Sequence, residues 1–170
     1  MINFSIPLEN KKIIIGDLIA LLIIYLVPTF SHIFPIPLYL IEPMRIIVIL
    51  ALLNTSKNNS LFLCLLLPIF SYITVGHPLL IKSLLISIEL SINILILSLF
   101  MDVKKFSLGI FTSILISKII YYILKFIAIQ FSLTNGRLFS TQLEIQSITI
   151  IIISIFFIIL QKLKSLSDNS

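Results

Sequence analysis

The sequence predicts an all-α fold in one integral membrane domain: a polytopic, six-transmembrane-helix bundle with both termini cytoplasmic. Three observations lead there. Hydrophobic residues make up 59% of the 170, against roughly 45–50% in globular proteins. Charged residues are only 11%, less than half the roughly 25% of a soluble domain, so polar side chains are too few to cover a water-facing surface. The apolar residues also fall into six runs, each near the roughly 17–25 residues that a spanning helix needs.

The first run, 13–30, follows Lys11 and Lys12. These resemble the start of a signal peptide, but IIIGDLIALLIIYLVPTF is long and has no small-x-small cleavage site before Pro28. It reads as a retained first span. After SHIFPIP comes 36–53, interrupted by the stretch Glu42-Pro43-Met44-Arg45. NTSKNNS leads into the third run, 61–76, which is short, and GHP into the fourth, 79–101. MDVKK precedes the fifth, 106–131, long enough for tilt or re-entrance, and SLTNGRLFSTQ precedes the sixth, 145–161. Gly, Pro, Asn and Ser concentrate in these breaks, as turn chemistry requires. No internal repeat or soluble domain interrupts the pattern.

Orientation follows from the basic residues of the loops, which favour the cytoplasmic side. With the N-terminus inside, the inner segments hold Lys11, Lys12, Lys57, Lys104, Lys105, Lys162 and Lys164, and the outer loops hold only Arg137. That bias requires an even number of spans, and six in the cell inner (cytoplasmic) membrane satisfies it. The net charge of +5 is scattered in ones and twos, unlike the basic stripe of a nucleic-acid binder. Cys64 is the one cysteine, which excludes an intrachain disulfide and a Cys-based zinc cluster.

Ionisable residues inside spans carry the functional signal. A charge at the bilayer centre costs at least ~2.5–3.5 kcal/mol on insertion scales and normally faces the bundle interior or a wet path. At a rise of about 1.5 Å per residue, Glu42 and Arg45 lie on the order of 10 Å below the outer boundary and Lys82 about 6 Å deep. Glu89 and Lys118 fall near the midplane, and Lys125 in the outer third. Glu42 and Arg45 share a side of their helix. Lys82, Glu89 and Asn93 form one stripe, and Lys118, Tyr121 or Tyr122, and Lys125 form another. Together these residues predict a solute site in the outer half of the bundle. Arg45, Lys82, Lys118 and Lys125 outnumber Glu42 and Glu89, which points to an anionic ligand, with Tyr121, Tyr122 and Tyr72 offering ring faces. The structural alternative is that Glu42–Arg45 and Glu89–Lys118 are internal ion pairs, while Lys82 and Lys125 snorkel to the headgroups.

Catalytic patterns are missing: no His-Glu-x-x-His, no Gly-rich phosphate loop and no Gly-x-Ser-x-Gly. Cys64 and His77 stand at opposite ends of the third helix, on the order of 20 Å apart. They cannot form a nucleophile–base pair, and no enzyme activity or cofactor is expected. His77 reads as an interfacial turn residue. Near the cytoplasmic end of the first helix, Gly16 and Ala20 make a small-xxx-small pair beside Asp17. Such a pair lets another helix approach, either within the bundle or from a partner.

With these features the chain resembles the substrate-binding S components of energy-coupling factor (ECF) transporters. The resemblance covers nearly the whole chain: six short helices in under two hundred residues, ends inside, and Gly16/Ala20 where the family has an Ala-xxx-Ala-like motif. It implies that Gly16 and Ala20 dock the coupling membrane subunit, that ATPase subunits complete the complex, and that SHIFPIP acts as a lid. The pocket would hold a vitamin-class solute or precursor between the Glu42–Arg45 helix and GHPLLIKSLLISIELSIN. Glu42 would orient Arg45, Arg45 would grip the solute, Lys82 and Lys125 would add charge, and Glu89 with Asn93 would read deeper polar groups. A rival resemblance is to the rod-shape protein MreD, a non-transporting scaffold of similar size. A small lipid-acting enzyme would need a reactive pair that the sequence lacks.

Overall fold

The computed structural model describes residues 8–33, 38–76, 78–101, 105–134, 138 and 143–167. His77, Lys104, Arg137 and the loop prolines Pro35 and Pro37 lie outside them, as does the side chain of Lys164. Among the described residues the chain forms α1 (Leu8–Ile33), a 3-10 turn (Leu38–Ile41), α2 (Pro43–Asn54), α3 (Lys57–Val75), α4 (Leu80–Ser98), α5 (Phe106–Gln130) and α6 (Leu143–Ser167). No strand occurs among them. α1, α3, α4, α5 and α6 are each long and apolar enough to cross a membrane.

The second expected span is where sequence and structure part. Residues 36–53 do not form one helix. The chain makes the 3-10 turn, breaks at Glu42, and only then starts α2, whose 12 residues span about 18 Å at 1.5 Å per residue. That is well short of the roughly 30 Å hydrocarbon core. Pro43 is the cause. Its ring disfavours the right-handed helical region for the residue before it, and Glu42 takes φ 52°, ψ 57° instead. Pro43 itself suits the first position of a helix, where no N–H is needed.

The remaining boundaries obey local chemistry. α3 starts four residues before the expected 61 because Ser56 caps it, accepting from the Asn59 amide at 3.2 Å. It ends at Gly76, whose φ of 71° suits a residue without Cβ. α1 and α6 extend beyond the runs expected at 13–30 and 145–161, because polar residues at a helix end continue the turn without entering the apolar zone.

Successive helices alternate in direction. Asn59, at the start of α3, donates to Asp17 Oδ1 in the first half of α1 at 3.0 Å. Ser60 donates to the Val48 carbonyl in α2 at 2.6 Å. α2 is therefore the return leg between α1 and α3. One core binds the bundle, from Ala20 and Ile24 of α1 through Val48, Ile49, Leu63, Leu67, Ile94 and Ile110 to Phe157 of α6. Each of the five long helices turns large apolar side chains outward, among them Leu18, Ile73, Leu84, Ile119 and Ile152. So much exposed apolar surface suits lipid rather than water.

Candidate functional site: a charged cavity at one end of the bundle

The break at Glu42 sets the site. At the start of α2, the Glu42 carboxylate reaches two cations. Its Oε2 lies 2.6 Å from Arg45 Nε, one turn on, and its Oε1 lies 2.5 Å from Lys118 Nζ of α5. Arg45 is 2% exposed. Its guanidinium also binds Glu89 of α4 and donates to Ser117 Oγ of α5 at 3.3 Å. Lys118 Nζ stands 3.8 Å from Glu89. Two carboxylates and two cations thus close a network across α2, α4 and α5. Arg45 is its centre because a planar guanidinium presents several donors to two acids at once.

The network forms one wall of a cavity of about 470 Å³, within the roughly 300–1,000 Å³ of small-molecule sites. The cavity lies at the end of the bundle where α2, α4 and α6 begin. Glu42, Arg45, Glu89, Lys118 and Lys82 supply its charge. Tyr39, Tyr121 and Tyr122 supply aromatic surface, and Ser71, Gln146 and Thr149 supply neutral polar groups. Ile24, Val27, Ile86 and Leu90 are among its apolar walls. Tyr121 and Tyr122 meet edge to face, with ring centroids 5.3 Å apart. The Tyr122 hydroxyl donates to Gln146 Oε1, which ties α5 to the start of α6.

Seven of the residues singled out in the sequence, Glu42, Arg45, Lys82, Glu89, Lys118, Tyr121 and Tyr122, share this cavity. Asn93, Lys125 and Tyr72 do not line it. Asn93, one turn beyond Glu89, is fully buried against α5 and donates to Ser113 Oγ at 3.0 Å. Lys125 donates to the Leu138 carbonyl at 2.6 Å, so it holds the chain that follows α5. The Gly16/Ala20 pair is divided: Ala20 is 5% exposed within the core, while Gly16 is exposed with no atom within 4 Å of a Cβ placed there. Tyr72 is half-buried and lies off the cavity.

Ser71, Ser117, Gln146 and Thr149 were not anticipated. The spacing of Gln146 and Thr149, on one face at the start of a span, was the available signal, but neither is ionisable. The charge surplus expected from the sequence is located too. Arg45 and Lys118 are matched by Glu42 and Glu89, which leaves Lys82 and Lys125. Lys82 lines the cavity, and among the described residues no carboxylate makes an ion pair with it. Compared with known proteins, the chain matches no family model, no curated protein and no solved structure.

Proposed function

We propose that this chain is the solute-capturing membrane subunit of an importer of the ECF type. It would take a small micronutrient or precursor into the cavity at the outer end of the bundle and pass it inward with a coupling membrane subunit and ATPase partners. The observation that carries this reading is the cavity of about 470 Å³ with five ionisable residues on its walls. A membrane protein that only packs against partners gains nothing from a hollow lined with charge, because each charge must be held against desolvation.

In this reading the helices alternate through six crossings of the cytoplasmic membrane with both ends inside, the 3-10 turn and α2 together making the second. Single cysteines tested by side-selective maleimide check it. A cysteine at Asn58, in the first turn of α3, should label from the cytoplasmic side, and one at Leu133, after α5, from the outside. The native Cys64 is 0% exposed and should stay silent. Labelling of both from one side would reject the arrangement.

The closed ion-pair network favours a second reading. Two carboxylates and two cations that satisfy one another are what a rigid scaffold resembling MreD would use to lock three helices. Native mass spectrometry of the purified protein separates the two. A co-purified mass of vitamin size, lost in Lys82→Gln, is expected for the solute subunit. Lipid or stoichiometric protein alone would support the scaffold.

A further inference from the structure

We propose that the solute is a monoanion with an apolar or aromatic body, chemically an aryl- or alkylcarboxylate, and that its carboxylate pairs with Lys82. This rests on the solute-binding reading and narrows it. The cavity wall carries three cations and two carboxylates. Arg45 and Lys118 are held by Glu42 and Glu89. Lys82 is the cation left over, half-buried in the first turn of α4. The partial positive charge of that helix start acts in the same sense as its ammonium.

The counter-charge must therefore come from outside the described chain. Snorkelling to headgroups would satisfy Lys82 if it faced lipid, but it lines the cavity, two turns before Glu89 on α4. One negative charge neutralises the three cations and two carboxylates of the cavity wall. A second would meet Glu42 and Glu89, whose cations are already engaged, and a cationic solute would meet Lys82 unshielded. The rest of the lining is chiefly apolar or aromatic, with Ile86, Leu90, Tyr121 and Tyr122 to receive a hydrophobic body.

Three isosteric probes test this: 4-phenylbutyrate, its uncharged amide, and 4-phenylbutylamine, titrated calorimetrically into the full chain in an uncharged detergent. A charge-assisted hydrogen bond predicts that the carboxylate binds about 10- to 100-fold tighter than the amide, and that the amine does not bind. Lys82→Gln should bring the carboxylate down to the level of the amide, and Lys82→Arg should keep most of the preference. Lys57→Gln, at the far end of the bundle, should change nothing.

Equal binding of carboxylate and amide overturns the proposal while leaving a solute site standing. A preference that survives Lys82→Gln, or that disappears in Lys57→Gln, also overturns it, since the anion is then read elsewhere or by bulk charge. Absence of saturable binding by all three probes overturns it as well. The native mass spectrum then decides the wider reading independently, because a co-purified mass of another chemistry would keep it.

Discussion

Arg45→Met should leave little folded protein, and adding Glu89→Gln should bring much of it back. Arg45 is 2% exposed and holds Glu42, Glu89 and Ser117 together. Without it, the buried Glu89 and the half-buried Glu42 face Lys118 alone. Breaking a buried pair by removing one partner costs about 3–5 kcal/mol, because the remaining charge loses its compensation. In the double variant Glu42 keeps Lys118 at 2.5 Å, and the neutral amide at position 89 needs no counter-charge. Thermal unfolding and monodisperse yield in detergent measure both. If Arg45→Met keeps the wild-type melting temperature and loses only a bound small molecule, Arg45 grips the solute, as the sequence first suggested. The proposed function takes the other division of labour, in which Arg45 builds the wall and Lys82 would meet the solute.

That division explains how far the site was legible. Charges inside apolar runs are rare enough to be noticed one by one, so Glu42, Arg45, Lys82, Glu89 and Lys118 could be grouped before any geometry was known. Pairing was legible in part: the Glu42–Arg45 and Glu89–Lys118 ion pairs named as the structural alternative both form, whereas the cross pairs Arg45–Glu89 and Lys118–Glu42 had no signal in the spacing. Glu89 shares a stripe with Lys82 two turns away, too far to pair, and it meets Arg45 as well as Lys118, because helix rotation and tilt decide which side chains of different helices meet and neither is written in a spacing. Asn93 shows the same limit: it shares a stripe with Glu89, but one turn farther along α4 that stripe faces Ser113 instead of the cavity. Gln146 and Thr149 escaped notice because uncharged polar residues at a helix start look like ordinary interfacial residues.

The fold was legible wherever length and hydropathy agree. Five apolar runs became helices long and apolar enough to cross a membrane, as a bilayer that demands internally satisfied backbone over that length would require. The second run contained its own correction. A proline seven residues into it removes an N–H and restricts the residue before it, and that residue is Glu42. The break that shortens α2 also places Glu42 and Arg45 at a helix start beside α5. Fold departure and site are here one event.

A second large effect is expected at Gly109, far from the cavity. A Cβ built on Gly109 would sit 2.3 Å from Phe100 Cβ and 2.8 Å from Phe100 Cγ. Phe100 cannot simply swing aside, because its Cβ is fixed to backbone whose amide donates to the Leu97 carbonyl at 2.9 Å. Gly109→Ala must therefore push α5 away from the turn that follows α4. Overpacking of this kind costs about 1–3 kcal/mol. The displacement should also propagate, since Ser113 and Ser117 follow Gly109 at four-residue intervals on the same buried face and small residues there allow the two helices to approach closely.

The cause can be isolated by measuring the same substitution in two further backgrounds. In Phe100→Gly the obstructing Cβ is gone, and Gly109→Ala should become nearly neutral in thermal unfolding. In Phe100→Ala that Cβ remains, so most of the penalty should persist although the ring has been removed. Equal relief in both backgrounds would mean that the aromatic ring is the obstacle. Gly109 would then serve to seat a side chain, and the α4–α5 approach that brings Glu89 to Lys118 would have to be fixed by the charges themselves.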